Sequence, residues 1–229
     1  MLKKLVAGAL FAGVVAGLVS VVLQFLFVQP LLLEAELFES GARTHFGDAS
    51  TGTHPDGGQN GGIDLRRDGM SVLFSIFLYA GYGLMLIAGM ALATMQGVRI
   101  PARHGLIWGI AGFVAVQLAP AFGIAPELPG SAAADIAERQ VWWLVTVAAT
   151  ALALWLIAFH RGLALWGLAV VLLLGPHLVG APQPDGFAGP VPPELSAAFA
   201  ARALAVGMAA WSVLGLVAAQ IWSEGTQNA

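Results

Sequence analysis

The feature that most constrains this chain is the gathering of its apolar residues into six separate runs, most of them long enough to cross a bilayer. A membrane helix needs about 20 mostly apolar residues, because about 30 Å of hydrocarbon is crossed at about 1.5 Å per residue. The runs at residues 5–28, 70–95, 141–159 and 203–222 contain no acidic or basic residue. The run at 104–122 is slightly more polar. The run at 163–179 is short and ends in Gly175-Pro176-His177, so a five-span reading stays open in which it is thin or re-entrant. With 58% hydrophobic and 10% charged residues, against about 25% charged in an ordinary soluble domain, no water-soluble core could absorb this surface. The expected fold is an all-α integral membrane protein of about six transmembrane helices, one polytopic membrane domain over residues 1–229. Residues 40–69, rich in Gly, Thr, Asp and Asn, read as a flexible extracytoplasmic loop.

Lys3 and Lys4 precede an apolar run of over twenty residues without a small-residue cleavage site before Pro30, which reads as an uncleaved first helix. Gly8, Gly13 and Gly17 along it suit close helix packing in lipid. An N-terminus inside places Lys3, Lys4, Arg99, Arg103 and Arg161 in short cytoplasmic segments, and the short segments decide orientation. Every acidic residue except Glu224 then falls outside. Carboxylates contribute little to topology, so this asymmetry points to a negative vestibule that concentrates cations, although exterior loops are also simply polar.

Other function classes find no support. The net charge of −3 offers no basic surface for phosphate backbones, so nucleic acid is not an expected partner. Without cysteine there is no thiolate ligand or thiol nucleophile. No His-Glu-x-x-His pair, Gly-x-Ser-x-Gly elbow or phosphate-binding glycine loop occurs, so the chain reads as no enzyme and binds no permanent cofactor. The tryptophans 142, 143, 155, 166, 211 and 222 lie mostly toward span ends, as in aromatic belts.

Two spans open on nearly the same phrase, His104-Gly-Leu-Ile-Trp108-Gly-Ile-Ala and Arg161-Gly-Leu-Ala-Leu-Trp166-Gly-Leu-Ala. Each then ends in proline, at Pro120 or Pro176, followed by Pro126-Glu127-Leu128 or Pro193-Glu194-Leu195. The first span likewise ends at Pro30, with Glu34 one turn beyond, so three in-out-in hairpins forming parallel repeats are expected. Glu34, Glu127 and Glu194 would converge if the hairpins surround an axis, with Glu36 near the interface beside Glu34, and carboxylates with an imidazole suit a divalent first-row metal. His177 is a further candidate ligand, and His45 and His54 could collect metal in the long loop. Capping, surface solvation and a passive linker are the plainer roles for these residues.

Pro30-Leu-Leu-Leu-Glu34-Ala-Glu36, Ala119-Pro120, Pro126-Glu127-Leu128-Pro129-Gly130, Arg139-Gln140-Val141-Trp142-Trp143 and Pro193-Glu194-Leu195 together resemble the CbtA family of proposed cobalt transporter subunits, over nearly the whole chain. The resemblance implies cobalt uptake (Co²⁺ as the transported ion) across a bacterial inner membrane, linked to cobalamin synthesis, beside a small histidine-rich CbtB-like membrane subunit. It carries a metal role onto Glu34, Glu36, Glu127 and Glu194, with His177 behind them. Relatives often have a denser histidine cluster in the first long loop, where this chain has only His45 and His54. The expected function is therefore a permease subunit for a divalent cation, embedded in membrane lipid, with self-association left open. The rival is a non-transporting membrane scaffold or assembly subunit, in which the same glycines and tryptophans serve partner binding alone.

Overall fold

The computed structural model describes residues 2–43, 65–186 and 188–227. Helix α1 (Leu2–Leu23) passes through a π-helical turn, Gln24–Val28, into α2 (Gln29–Glu39). Helix α3 (Leu65–Met95) leads to a short 3₁₀ turn, Ala102–His104, and α4 (Gly105–Phe113). A second π-helical turn, Val114–Leu118, joins α4 to the short α5 (Ala119–Ala121). Then follow α6 (Ile136–Phe159), α7 (Leu163–Val179) and α8 (Pro193–Gln227). The fold is all-α, and five helical stretches are long and apolar enough to cross a membrane. The sixth, α7, has 17 residues and is the short one, as its sequence suggests. This is a multi-pass membrane protein.

Proline does not end the first helix, contrary to the reading from sequence. Pro30 cannot donate to the carbonyl four residues back, and in a regular helix its ring would strike that carbonyl. The π turn widens the helix just before it, the Gln29 N–H reaching back to the Gln24 carbonyl, and the chain continues helical to Glu39. Arg202 of α8 donates to the Phe27 carbonyl within this turn, at 3.2 Å. Pro120 acts in the same way: the Ala119 N–H reaches the Val114 carbonyl, and Pro120 lies in the first turn of α5. Both prolines thus follow a loosened turn, but only past Pro30 does the helix run on, to Glu39; after Pro120 it stops at Ala121, where the sequence puts the end of that span. Pro176 stands inside α7.

Helices α1, α3, α4 and α8 form the main body. Helix α1 lies antiparallel between α3 and α8, and α4 packs antiparallel on α8. Lipid tails are as apolar as the helices, so burial does not drive this association and close backbone approach must. A Cβ at Gly13 would collide with the Ala80 backbone, and one at Gly109 with the Trp211 carbonyl oxygen. The glycine series of α1 does pack as its spacing suggests, Gly13 and Gly17 on α3 and Gly8 on Ile221 of α8. Helix α7 packs on α6 instead of on α8. The similar phrases that open α4 and α7 therefore begin helices with different neighbours, and the hairpin pairing does not repeat.

Of the expected belt tryptophans, Trp143 and Trp166 are exposed on the apolar surface. Trp142, Trp211 and Trp222 are buried. Trp211 lies near the middle of its helix, where no belt could hold it.

Candidate functional site

One end of the protein carries Glu36, Glu127 and Glu194, and the other Lys3, Arg99, Arg103 and Arg161; they are called here the acidic and basic ends. Glu34, half-buried on α2, pairs with Arg43 at 2.9 Å. Glu127, in the connection between α5 and α6, pairs with Arg139 at 2.8 Å. The proline-rich connection and the first turns of α6, where Asp135 caps the Ala137 and Glu138 N–H groups, set that pair. Glu194 is exposed in the first turn of α8, where a carboxylate complements the helix dipole. The His177 ring stands edge-on to Trp142, with centroids 5.8 Å apart, and to Phe122 at 6.2 Å, an aromatic packing role. Among the described residues no group of three His, Asp or Glu side chains is placed to hold a metal ion. His45 and His54 lie outside the described residues.

Glu36 and Asp68 line a cleft of about 260 Å³ between the α1–α2 helix and α3, together with Gln24, Ser71, Ser75 and Pro129. Just inside this cleft the Gln24 amide donates to Ser20 at 2.9 Å. Ser20 and Gln117 stand beside the Tyr79 hydroxyl, within reach of their side chains. Polar side chains in hydrocarbon must find one another, and these four tie α1, α3 and the second π turn together.

A second cleft, of about 420 Å³, opens at the acidic end with Glu127 and Arg139 at its mouth and Gln117 and Tyr82 on its wall. Below it, toward the basic end, lies an apolar cleft of about 340 Å³ walled by Trp108, Trp155 and Phe159, with Arg99 and His104 also lining it and the exposed Met85 and Ile107 at its open flank. The same four helical stretches line both spaces at successive heights. On α3 Tyr82 lies above Met85 and Gly89; on the α4–α5 stretch Gln117 and Pro120 lie above Trp108 and Ala111; on α6 Trp143 lies above Val147 and Ala151; on α8 Leu204 lies above Trp211. Val116 lines both. One seam therefore runs between α3, α4, α6 and α8, interrupted near its middle. The interruption is Tyr82 stacked on Trp211, with ring centroids 4.7 Å apart and planes 26° from parallel. Tyr79 meets Tyr82 edge-on at 5.6 Å.

Of this set, the sequence reading found Glu127, took Trp211 for a belt tryptophan, and passed over Gln117, Tyr79 and Tyr82. A signal was present: the chain has two tyrosines, three residues apart on one face of an otherwise apolar span, and Gln117 interrupts another apolar run.

A family model described as "Probable cobalt transporter subunit (CbtA)" matches residues 2–223. No curated protein and no solved structure matches the chain.

Proposed function

The chain belongs to the CbtA family, and on that premise we propose that it is a bacterial inner-membrane permease subunit that takes up a divalent cation, cobalt. The seam between α3, α4, α6 and α8 carries this reading: two cavities stacked along one line, the outer with Glu127 at its mouth. A dication with six waters needs roughly 180 Å³ at about 30 Å³ per water, so either cavity has room for a hydrated ion. Glu36 and Glu194 raise the local cation concentration at the acidic end, which faces out, Glu127 takes up the ion in exchange for its Arg139 partner, and the N-terminus is cytoplasmic. Glu34 stands beside them, compensated by Arg43. His177 and the loop histidines His45 and His54 are secondary candidates.

Weak ligands suit the task, since a conducting path must release what it binds. Gln117 and Tyr82 offer neutral oxygens after the carboxylate mouth, and the apolar lower cavity offers no acidic side chain to retain the ion. The membrane potential supplies about 2.3 kcal/mol per charge per 100 mV, hence about 4.6 kcal/mol for a dication moving to a negative interior. No ATP-binding motif is needed for that drive. The family description as a subunit supports a partner, which we take to be a small CbtB-like membrane protein.

The test is cobalt accumulation in cells expressing the chain, alone and with the small partner, for wild type and the double Glu127→Gln, Glu194→Gln variant at equal membrane abundance. Uptake above the empty control that falls severalfold in the variant is the expected result. If inserted wild-type protein never exceeds the empty control with either partner condition, the permease reading fails and the scaffold reading replaces it.

A further inference from the structure

We infer that the Tyr82–Trp211 stack is the gate of the seam, closing the acidic-end vestibule from the basic-end cavity. This rests on the permease reading, because a gate matters only if something passes. Tyr82 lines the upper space and Trp211 the lower, so the stacked rings are the wall between them. Val116 completes that wall from the second π turn.

Three observations make this wall a movable one. First, Trp211 is 2% exposed, yet its indole N–H has no hydrogen-bond partner among the described residues. A buried donor left unmade is a cost that folding tolerates and that water entering an opened seam would relieve. The ring is held by stacking and shape, not by a directional bond. Second, it lies against Gly112 so closely that a Cβ there would strike the indole. Gly112 gives the ring its seat. Third, the backbone behind Val116 is the π turn Val114–Leu118, in which Pro120 denies the Val116 carbonyl its regular donor. Such a turn can exchange its bonding pattern at lower cost than a regular helix can. The Gln117 side-chain oxygen, one residue on, is also buried without a partner. Two unsatisfied polar atoms thus flank the closed wall, on Gln117 lining the upper space and on Trp211 lining the lower. Opening hydrates both, whereas an apolar plug of Leu and Phe would gain nothing by it.

The chain contains no cysteine, so single-cysteine reporters can be placed without background. Ala111→Cys reports the lower cavity, and Ala125→Cys the vestibule. Each is labelled with a membrane-impermeant cationic methanethiosulfonate in right-side-out and inside-out membrane vesicles, and the side on which Ala125→Cys reacts defines the acidic end. From that side, Ala111→Cys is expected to react at least tenfold more slowly than Ala125→Cys. Adding Trp211→Ala should raise the Ala111→Cys rate at least tenfold and leave the Ala125→Cys rate unchanged. Tyr82→Ala removes the other half of the stack without disturbing the seat of Trp211, and should give the same opening; it decides the matter where Trp211→Ala does not fold. Equal labelling of both reporters with the stack intact overturns the inference. So does an Ala111→Cys that stays protected in the stack variants while Ala125→Cys reacts normally. Labelling needs no cobalt: opening without cobalt uptake leaves the gate standing and the cargo misassigned, and uptake with a protected lower cavity moves the path elsewhere.

Discussion

Two parts of this protein are held together in different ways, and the seam runs along the line where they meet. In the body formed by α1, α3, α4 and α8 the backbones themselves touch. A Cβ at Gly83 would strike the Ala9 carbonyl oxygen, and one at Gly215 the Gly105 carbonyl. The α6–α7 pair is poorer in glycine, with none on α6, and uses its two otherwise: around Gly167 and Gly175 a Cβ would meet nothing within 4 Å beyond the chain neighbours. Its contacts include a small cluster of Ala153, Leu156 and Ala169 with leucines of α7, the Trp142–His177 ring contact, and a hydrogen bond from the Trp142 indole to the Pro176 carbonyl at 3.1 Å. A groove of about 800 Å³ separates α6 from α7 toward the acidic end. Because lipid supplies no hydrophobic drive, tightness comes from how closely backbones approach, and that differs between the two parts. One wall of the seam is sewn by backbone contact and the other is hung on side chains.

The sharpest way to break this contrast is to add one methyl group at a time. Gly109→Ala and Gly215→Ala push a Cβ into a neighbouring backbone that cannot yield. Each should lower unfolding free energy by about 3 kcal/mol or more, the upper range for overpacking, despite alanine's better helix propensity. Gly167→Ala meets open space and should stabilise α7 by about 0.5–1 kcal/mol. Detergent-unfolding titrations of purified protein give both signs. A shared sign would mean that the two parts are packed alike.

A smaller effect is expected from Trp142→Phe, which removes the indole donor while the Pro176 carbonyl keeps the Gly180 N–H. The cost should be about 0.5–1.5 kcal/mol, that of one net hydrogen bond. It should fall on one place: spin labels on α6 and α7 should show a broadened separation, while labels on α4 and α8 keep theirs. Broadening at both pairs would show that the hairpin and the body move as one.

The spans were legible because hydrocarbon imposes a single requirement, length and apolarity, that a sequence states residue by residue. So was the shortness of α7. The fate of Pro30 was not, because a proline reads as a stop unless the preceding turn can widen, and nothing local announces a π turn. The convergence of Glu34, Glu127 and Glu194 was expected from their similar phrases. Yet Glu34 and Glu127 are each neutralised by an arginine from elsewhere in the chain, Arg43 and Arg139. A phrase fixes what precedes and follows a residue, not what stands across from it. Tyr82 was missed, and Trp211 given to a belt, for the same reason, since each is an ordinary membrane aromatic until the other is placed 4.7 Å away.

The smallest expected effect compares the two ion pairs. Arg43 and Glu34 keep 55% and 44% of their side-chain surface exposed, against 26% and 38% for Arg139 and Glu127. Exposed pairs contribute about 0.2–1 kcal/mol and are screened by salt, so Glu34→Gln should change unfolding free energy by less than about 0.5 kcal/mol. Its influence on a passing cation should be as slight. At about 0.15 M salt a carboxylate is felt over about 8 Å, and Glu34 does not line the seam as Glu127 does. The half-saturating cobalt concentration should therefore shift less than twofold in Glu34→Gln and return to wild type when ionic strength is raised. A shift as large as that of Glu127→Gln, persisting in high salt, would place Glu34 against the ion and move the entrance from the α3–α4–α6–α8 seam to the face of α2.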